Sequence, residues 1–451
     1  MAKDMTSGSP WKIILLFSLP VLMGNLFQQF YTMVDTLIVG RCLGEDALAA
    51  VGLTGSLVFL VLGFANGIGQ GFGVMISQAF GAKDFKLLKH FVAVSMLLTV
   101  IVSVILTIPT VIYSKSFLVM MQTPSELLDM SDSYIKIIFA GILFSMAYNV
   151  AAGILRGIGD SKTPLFFLIF SSLLNIVIDF FLIVIIPCGT AGAAYATLIS
   201  QGISAVLCFI YMFKHYEVLR LERADFYLDR QSVFKLLYVG IPMAINYSIT
   251  AVGCIIFQRA VNGFGSAVVA SYTAASKVHS IATQTMPTLG TAMATYCGQN
   301  LGAGRYDRIF KGMRIAFVLC IIISVVAGMI NCLAGPYVIP IFCKESPELA
   351  VTNGMIYLRT ASKYLLPLAW IFAYRNALQG LNRGLMPMLG GVVELAGRFL
   401  VIFLVSDRFG YLGVCYADPA AWVLTGVMLL ISYIVWKRRT IRQLNKAGVA
   451  Y

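Results

Sequence analysis

Two aspartates lie inside uninterrupted apolar runs of this chain. Asp35 sits in NLFQQFYTMVDTLIVG, with Gln28 and Gln29 about two turns earlier, and Asp179 sits in LNIVIDFFLI with apolar residues on both sides. At the centre of a bilayer a carboxylate costs roughly 2.5–3.5 kcal/mol on insertion scales, so such residues usually mark ion or proton pathways. Asn175, four residues before Asp179, shares its helix face and offers an amide oxygen beside the carboxylate. Thr197, in GAAYATLISQG, can add a hydroxyl across a helix interface. Together Asp35, Asn175, Asp179 and Thr197 supply either oxygen ligands for a hard monovalent cation or a hydrogen-bonded nest for a proton. If the two aspartates converge in a medium of low dielectric, they cannot both stay ionised without a cation or a proton between them. H+ and Na+ are both open as the ion. The bland alternative makes Asp35 a hydrated residue near the outer interface, and Asp179 and Thr197 structural contacts between helices.

Other polar residues fall within apolar stretches. Glu394 and Arg398, spaced four apart in VVELAGRFL, can neutralise one another on one helix, which lowers the cost of insertion without implying transport. Asp418 in YADPAAW and His279 are single candidates. Gln28, Gln29, Asn149, Gln258 and Lys277 are candidates to line a polar cavity. No residue set suggests a resident metal or an organic cofactor: the nine cysteines form no CxxC or paired spacing, and there are only three histidines. No GxxxxGK[ST] phosphate loop is present, which removes an ATP-driven motor and leaves little for an enzyme.

The elements that carry these residues must be membrane helices. Of 451 residues 59% are hydrophobic and 12% charged, about half the charged fraction of a soluble protein, and the mean hydropathy is +0.86. Twelve apolar stretches are long enough to cross the hydrocarbon core, near 12–37, 50–73, 91–113, 133–156, 165–187, 191–213, 234–260, 268–295, 313–334, 355–379, 387–406 and 411–436. Backbone groups in lipid must be satisfied within a segment, which favours an all-α architecture. The net charge of +13 does not point to nucleic acid, because the basic residues occupy alternate connections: Lys83, Lys86 and Lys89; Arg156 and Lys162; Arg220, Arg223 and Arg230; Arg305, Arg308, Lys311 and Arg314; Arg383; and the tail from Lys437. The intervening connections, such as Ser114–Ser133 with Glu126, Asp129 and Asp132, are acidic or nearly neutral. By the positive-inside bias both termini and the central linker are cytoplasmic, in agreement with an even number of spans. The first apolar run has no cleavage site before it and reads as a retained span.

The two halves are weak copies of one another. Pro20 answers Pro242, Gln78 and Gly81 answer Gln299 and Gly302, and Gly157 and Pro164 answer Gly380 and Pro387. Internal repeats of this size belong to transporter architecture. Residues 214–233 form the longest internal hydrophilic stretch, dividing an N-terminal lobe (1–213) from a C-terminal lobe (234–451), each of six helices. Asp35 and Asp179 have no acidic counterpart in the second copy, where their positions fall near Ile256 and Ile402. The alternating Gly67, Gly69, Gly71 and Gly73 lie inside an apolar helix and read as close helix packing rather than a nucleotide fingerprint.

Taken in order, QQFYTMVDTLIVG, SQAFGAKD with its echo GQNLGAGR, LRGIGDSKTP, LNIVID and ALQGLNRG resemble the MATE family, the multidrug and toxic compound extrusion transporters, and most resemble its bacterial DinF-type branch. The resemblance covers nearly the whole chain. It implies two six-helix bundles around a central cavity that opens alternately to either side, exporting organic, cationic, drug-like molecules in exchange for inward H+ or Na+. It places the cation site of that branch on Asp35, Asp179, Asn175 and Thr197. The acidic residues that other branches carry in the seventh and tenth helices have no match, since those spans hold Gln258 and Lys363 instead. A monomer in the cytoplasmic membrane is the expected working form, with small organic molecules and the lipid bilayer as its partners. The alternative is a flippase for a lipid-linked or polyisoprenoid substrate, which would need several intramembrane arginines; few are evident here beyond Arg398.

Overall fold

In the computed structural model residues 3–342 and 347–447 are described, and among them every regular element is helical. The first half comprises α1 (Pro10–Leu43), α2 (Glu45–Gly81), α3 (Phe85–Ile112), the short α4 (Ser114–Met120), the pair α5 (Ser125–Ala140) and α6 (Ile142–Gly157), then α7 (Lys162–Phe180) and α8 (Gly189–His215). The second half comprises α9 (Arg230–Asn262), the pair α10 (Ser266–Thr283) and α11 (Thr285–Gly302), α12 (Tyr306–Phe342), the pair α13 (Pro347–Ser362) and α14 (Leu365–Gly380), then α15 (Leu385–Cys415) and α16 (Ala417–Lys446). Among the described residues nine helices are long and apolar enough to span a bilayer alone, and α5 with α6, bent by 46°, makes a tenth. The two remaining expected spans are the interrupted pairs α10–α11 and α13–α14. All twelve apolar stretches are thus helical. The last boundary shifts: Gly410, at φ 55°, breaks α15, and α16 starts at Ala417 rather than near 411.

The chain divides into two compact units. The first contains Leu19–Ser248 with Lys3 and Asp4, and the second contains Met5–Ser18 with the described residues from Ile249 onward. The helices that open the two repeats, α1 and α9, therefore each begin in one unit and end in the other.

Within the first unit the glycines of α2 permit contact between backbones. A Cβ on Gly71 would stand 2.4 Å from the Cα of Gly240, and one on Gly67 would stand 2.5 Å from the Cα of Ala244, both on α9. Gly73 meets the carbonyl oxygen of Gly153 on α6 in the same manner, at 2.9 Å. A β-carbon does not fit there, and small residues of this kind let helices associate where no hydrophobic drive exists. The repeat equivalents Gly157 and Gly380 do the same service: a Cβ would lie 2.9 Å from the Gly73 oxygen in one unit and 2.5 Å from the Ala294 oxygen in the other.

Two leader segments are tied down by polar clamps. In the second unit the buried Arg308 donates from Nε to Asn300 Oδ1 (3.0 Å), from Nη1 to the Gly8 carbonyl (2.8 Å) and from Nη2 to the Met5 carbonyl (3.0 Å). One guanidinium thereby holds the segment that enters α1. In the first unit His90 on α3 contacts Asp229 Oδ1 (2.7 Å), Ser232 Oγ (3.1 Å) and the Asp225 carbonyl (3.1 Å), with the Tyr227 ring stacked at 4.1 Å. Asp229 caps α9 by accepting from the Ser232 N–H at 2.8 Å. That bond, assisted by His90, holds the Asp229 carboxyl down to about 2.

Candidate cation site in the first unit

Two helix faces built on the same spacing create the site. On α1, Tyr31 precedes Asp35 by four residues, and on α7, Asn175 precedes Asp179 by four, so each carboxylate has a polar neighbour one turn away. The hydroxyls of Thr32 and Thr36 bond back to the Gln28 and Thr32 carbonyls of their own helix, which satisfies them and leaves the aspartate as the reactive group of α1. Immediately after Asp179 the helix widens into a π turn, Phe181–Ile185, a feature frequent at functional sites.

Asp35 and Asp179 converge, with their carboxyl groups within hydrogen-bonding reach of each other. Asp179 and Asn175 are almost wholly buried, while Asp35 and Thr197 are half-buried. One oxygen of each carboxyl, Oδ1 in both, is buried without a hydrogen-bond donor. Around them the amide of Asn175 fits in one orientation: its oxygen accepts from the Thr197 backbone N–H (3.0 Å), and its nitrogen donates to Asp179 Oδ2 (2.7 Å) and to the Tyr31 hydroxyl (3.2 Å). In that orientation the Asn175 nitrogen, not its oxygen, faces the carboxylate. The Tyr31 hydroxyl in turn bonds the Thr197 side chain, and Tyr134 of α5 lies beside the pair. Tyr31 was legible as the residue one turn before Asp35; Tyr134, distant in sequence, carried no signal.

Among the described residues no cluster of three or more His, Cys, Asp or Glu side chains could hold a metal ion. Two facing carboxyls with one orphan oxygen each can share a proton directly, since a proton needs only a donor and an acceptor oxygen. A sodium ion needs more oxygens, and here the Asn175 oxygen is already engaged with the Thr197 N–H.

The remaining candidates are dispersed. Gln28 and Gln29 are exposed on α1. Asn149 on α6 donates to the Ser145 carbonyl at 2.8 Å, and the Ser145 hydroxyl donates to Gln201 of α8. In the second unit Gln258 bonds Asn262 of its own helix at 2.8 Å, Lys277 is exposed on α10, and His279 is buried parallel to Trp422.

The expected pair Glu394–Arg398 is present at 3.0 Å but is part of a larger network. Arg375 of α14 reaches the other oxygen of Glu394 at 2.7 Å, and Arg398 Nε reaches Asp418 Oδ1 at 2.6 Å. One correction follows. Arg375, buried in the tenth span, is a second intramembrane arginine beside Arg398, and Asp418, rather than standing alone, is the second acid of a neutral four-charge chain.

The family model described as MatE matches the chain twice, over residues 20–181 and 242–403, so each repeat scores separately. "Probable multidrug resistance protein YoeA" of Bacillus subtilis (strain 168) is 30% identical over 97% of this chain and 96% of its own length, and "Multidrug export protein MepA" of Staphylococcus aureus (strain N315) is 22% identical over 96% and 95%. A crystal structure of MATE in complex with MaL6 superposes with a TM-score of 0.89 at 24% identity, covering 98% of this chain and 99% of that one. An outward-facing multidrug resistance MATE family transporter of the MOP superfamily gives a TM-score of 0.89 at 23% identity with 98% of each chain covered. Matched in both repeats by the family model and over nearly its full length by a relative at 30% identity, the chain belongs to the MatE family.

Proposed function

We propose that this protein is a secondary active antiporter that exports organic molecules across the cytoplasmic membrane in exchange for protons bound between Asp35 and Asp179. One observation carries the reading: the carboxyls of Asp35 on α1 and Asp179 on α7 face each other, each with one buried, unpartnered oxygen and, among the described residues, with no basic side chain between them. With one proton the pair is a compact, hydrogen-bonded contact. Without it, two like charges repel across a desolvated gap, so proton binding and release bias how closely α1 and α7 approach. The names of the relatives, multidrug resistance and multidrug export proteins, support export of drug-like molecules as the cargo.

The energy source is adequate. One charge crossing 100 mV supplies about 2.3 kcal/mol, and each pH unit adds about 1.4 kcal/mol. Two six-span halves, 1–213 and 234–451, joined by the cytoplasmic linker 214–233, would expose the cargo alternately, with both termini in the cytoplasm and the monomer as the working unit. Sodium is the second reading, favoured only by the oxygen-rich character of the carboxyl pair. The flippase alternative is weaker, because Arg375 and Arg398 are neutralised by Glu394 and Asp418 and are not free to hold a pyrophosphate.

The test is transport by proteoliposomes with pH and sodium gradients imposed separately. Dye export driven by the pH gradient alone and abolished by its collapse is the expected result. Export that follows sodium and ignores pH would replace the ion, and movement without either gradient would remove the antiporter reading.

A further inference from the structure

In the second unit α10 presents a face that carries a lysine within the expected span. Its buried side, with Ala274, Ala275 and Val278, packs into a core with Phe257, Val261, Met355 and Leu358. Its exposed side carries Ala270, Thr273, Lys277 and Ile281, flanked by the half-buried Ser276 and Ser280. Helices suited to lipid are more uniformly apolar: α3 exposes Val100, Ile101, Val104, Ile105 and Ile108, and α12 exposes Val325, Val326, Met329 and Leu333. The ammonium of Lys277, between Thr273 and Ile281 in that row, is not solvated by acyl chains.

Lys277 lies eleven residues beyond Ser266, the first residue of α10, which is about 16 Å along the helix and close to the middle of a hydrocarbon core about 30 Å thick. Among the described residues its ammonium has no hydrogen-bond or ion-pair partner. The buried Glu394 and the partly buried Asp418 of the same unit are committed to Arg375 and Arg398. The neighbouring hydroxyls do not neutralise it: Thr273 donates to the Val269 carbonyl and Ser276 to the Thr273 carbonyl, both at 2.8 Å. The cost of burying an unpaired charge in lipid places such a lysine towards an aqueous path or the helix-bundle interior rather than acyl chains, with an ionic partner still to be supplied.

We propose that Lys277 recognises an acidic group, a carboxylate, sulfonate or phosphate, on the molecules this protein carries. The proposal rests on the exporter reading above and departs from the expectation of purely cationic cargo. A cargo anion seated on Lys277 supplies the missing counter-charge, and Thr273 and Ser276 keep oxygen lone pairs free for hydrogen-bond donors on the same molecule.

The experiment uses the full-length protein in zwitterionic liposomes under a pH gradient, with carboxyfluorescein as the anionic probe and ethidium as the cationic one. Equilibrium binding of both dyes to the detergent-solubilised protein is measured in parallel. In Lys277→Gln the ratio of anionic to cationic dye, both exported and bound, is expected to fall roughly tenfold, the scale of one lost hydrogen bond to a charged group. Lys277→Arg retains the ratio and Lys277→Glu inverts it. Equal ratios for wild type and Lys277→Gln overturn the proposal, as does a Gln variant that loses both dyes equally. If neither dye is exported by the wild type, the exporter reading fails, and the binding ratio alone still decides the role of Lys277. Adding phosphatidylglycerol separates two sources of the same acidic chemistry: competition seen in wild type and absent in Lys277→Gln assigns the lysine to a lipid headgroup, and no competition assigns it to soluble cargo.

Discussion

Glu394→Gln should destabilise this protein because of Arg375, not because of the arginine on its own helix. The Glu394 carboxylate bridges two guanidiniums, at 2.7 Å to Arg375 and 3.0 Å to Arg398, and Arg398 has a second partner in Asp418 at 2.6 Å. Two positive and two negative charges cancel. The substitution leaves a surplus of one positive charge, and its location is set by the geometry: Arg398 keeps Asp418, whereas Arg375, whose Nε is already buried without an acceptor, keeps nothing. Removing one partner of a buried pair costs about 3–5 kcal/mol, but replacing both by uncharged groups of similar volume is often near neutral. The double variant Arg375→Met, Glu394→Gln should therefore recover most of the loss, to within about 1–2 kcal/mol of wild type. Unfolding of a polytopic protein is not two-state, so the measurement is the order of thermal midpoints in detergent, followed by loss of the monodisperse species. Wild type and the double variant should lie close together and well above Glu394→Gln. A double variant no more stable than the single one would refute the assignment of the stranded charge to Arg375.

Asp179→Asn keeps the volume and the contact with Asn175 but removes a titrating carboxyl, and gradient-driven export in proteoliposomes should vanish while insertion and yield hold; unchanged export would remove Asp179 from the coupling step. Gly71→Leu sets a β-carbon 2.4 Å from the Gly240 Cα, and because two backbones cannot yield as a side-chain tip does, the loss should exceed the usual 1–3 kcal/mol of overpacking and be read as a sharply reduced yield of folded protein. Asp229, held down to about 2 by the Ser232 N–H and His90, contributes stability that is complete above its unfolded value near 3.9 and is lost as pH falls towards 2. Amide protection of the linker ahead of α9 should accordingly be flat above pH 4 and decline below it, and Asp229→Asn should show the weakened protection at every pH.

The periodic and compositional part of this molecule was legible from the residues alone. Twelve apolar stretches became twelve helical spans because lipid leaves the backbone no other means of satisfying its hydrogen bonds. The α2 glycines were readable as packing because no strand precedes them. What escaped were contacts between positions distant in the chain. Arg375 gave no sign of its role, since its partner lies nineteen residues away on the next helix. Arg308 looked like one more basic loop residue, yet it clamps the carbonyls of residues three hundred positions earlier. Tyr134 joins the acidic pair from a helix that sequence spacing does not relate to α1 or α7. The uneven charge of the two repeats was visible, and its meaning is physical: the second unit neutralises Glu394 and Asp418 with two arginines, and the first leaves Asp35 and Asp179 with only each other and an amide.

That amide permits a finer discrimination. The Thr197 N–H takes the Asn175 oxygen and turns the nitrogen towards Asp179 and Tyr31. A donor at that position steadies a carboxylate that has given up its proton, so its value is greatest in the deprotonated state of the cycle. Asn175→Leu deletes the donor and should reduce export at every pH by roughly tenfold, the scale of one hydrogen bond to a charged group. Asn175→Asp keeps the shape but sets an acceptor against Asp179 Oδ2 at 2.7 Å, a contact that survives only when one of the two carries an additional proton. Export by that variant should persist at the acid end of the wild-type profile and fail at its alkaline end. If instead Asn175→Asp follows the wild-type pH profile unchanged while Asn175→Leu is inactive, the side chain acts through its oxygen, and the site is built to ligate a cation rather than to hold a proton.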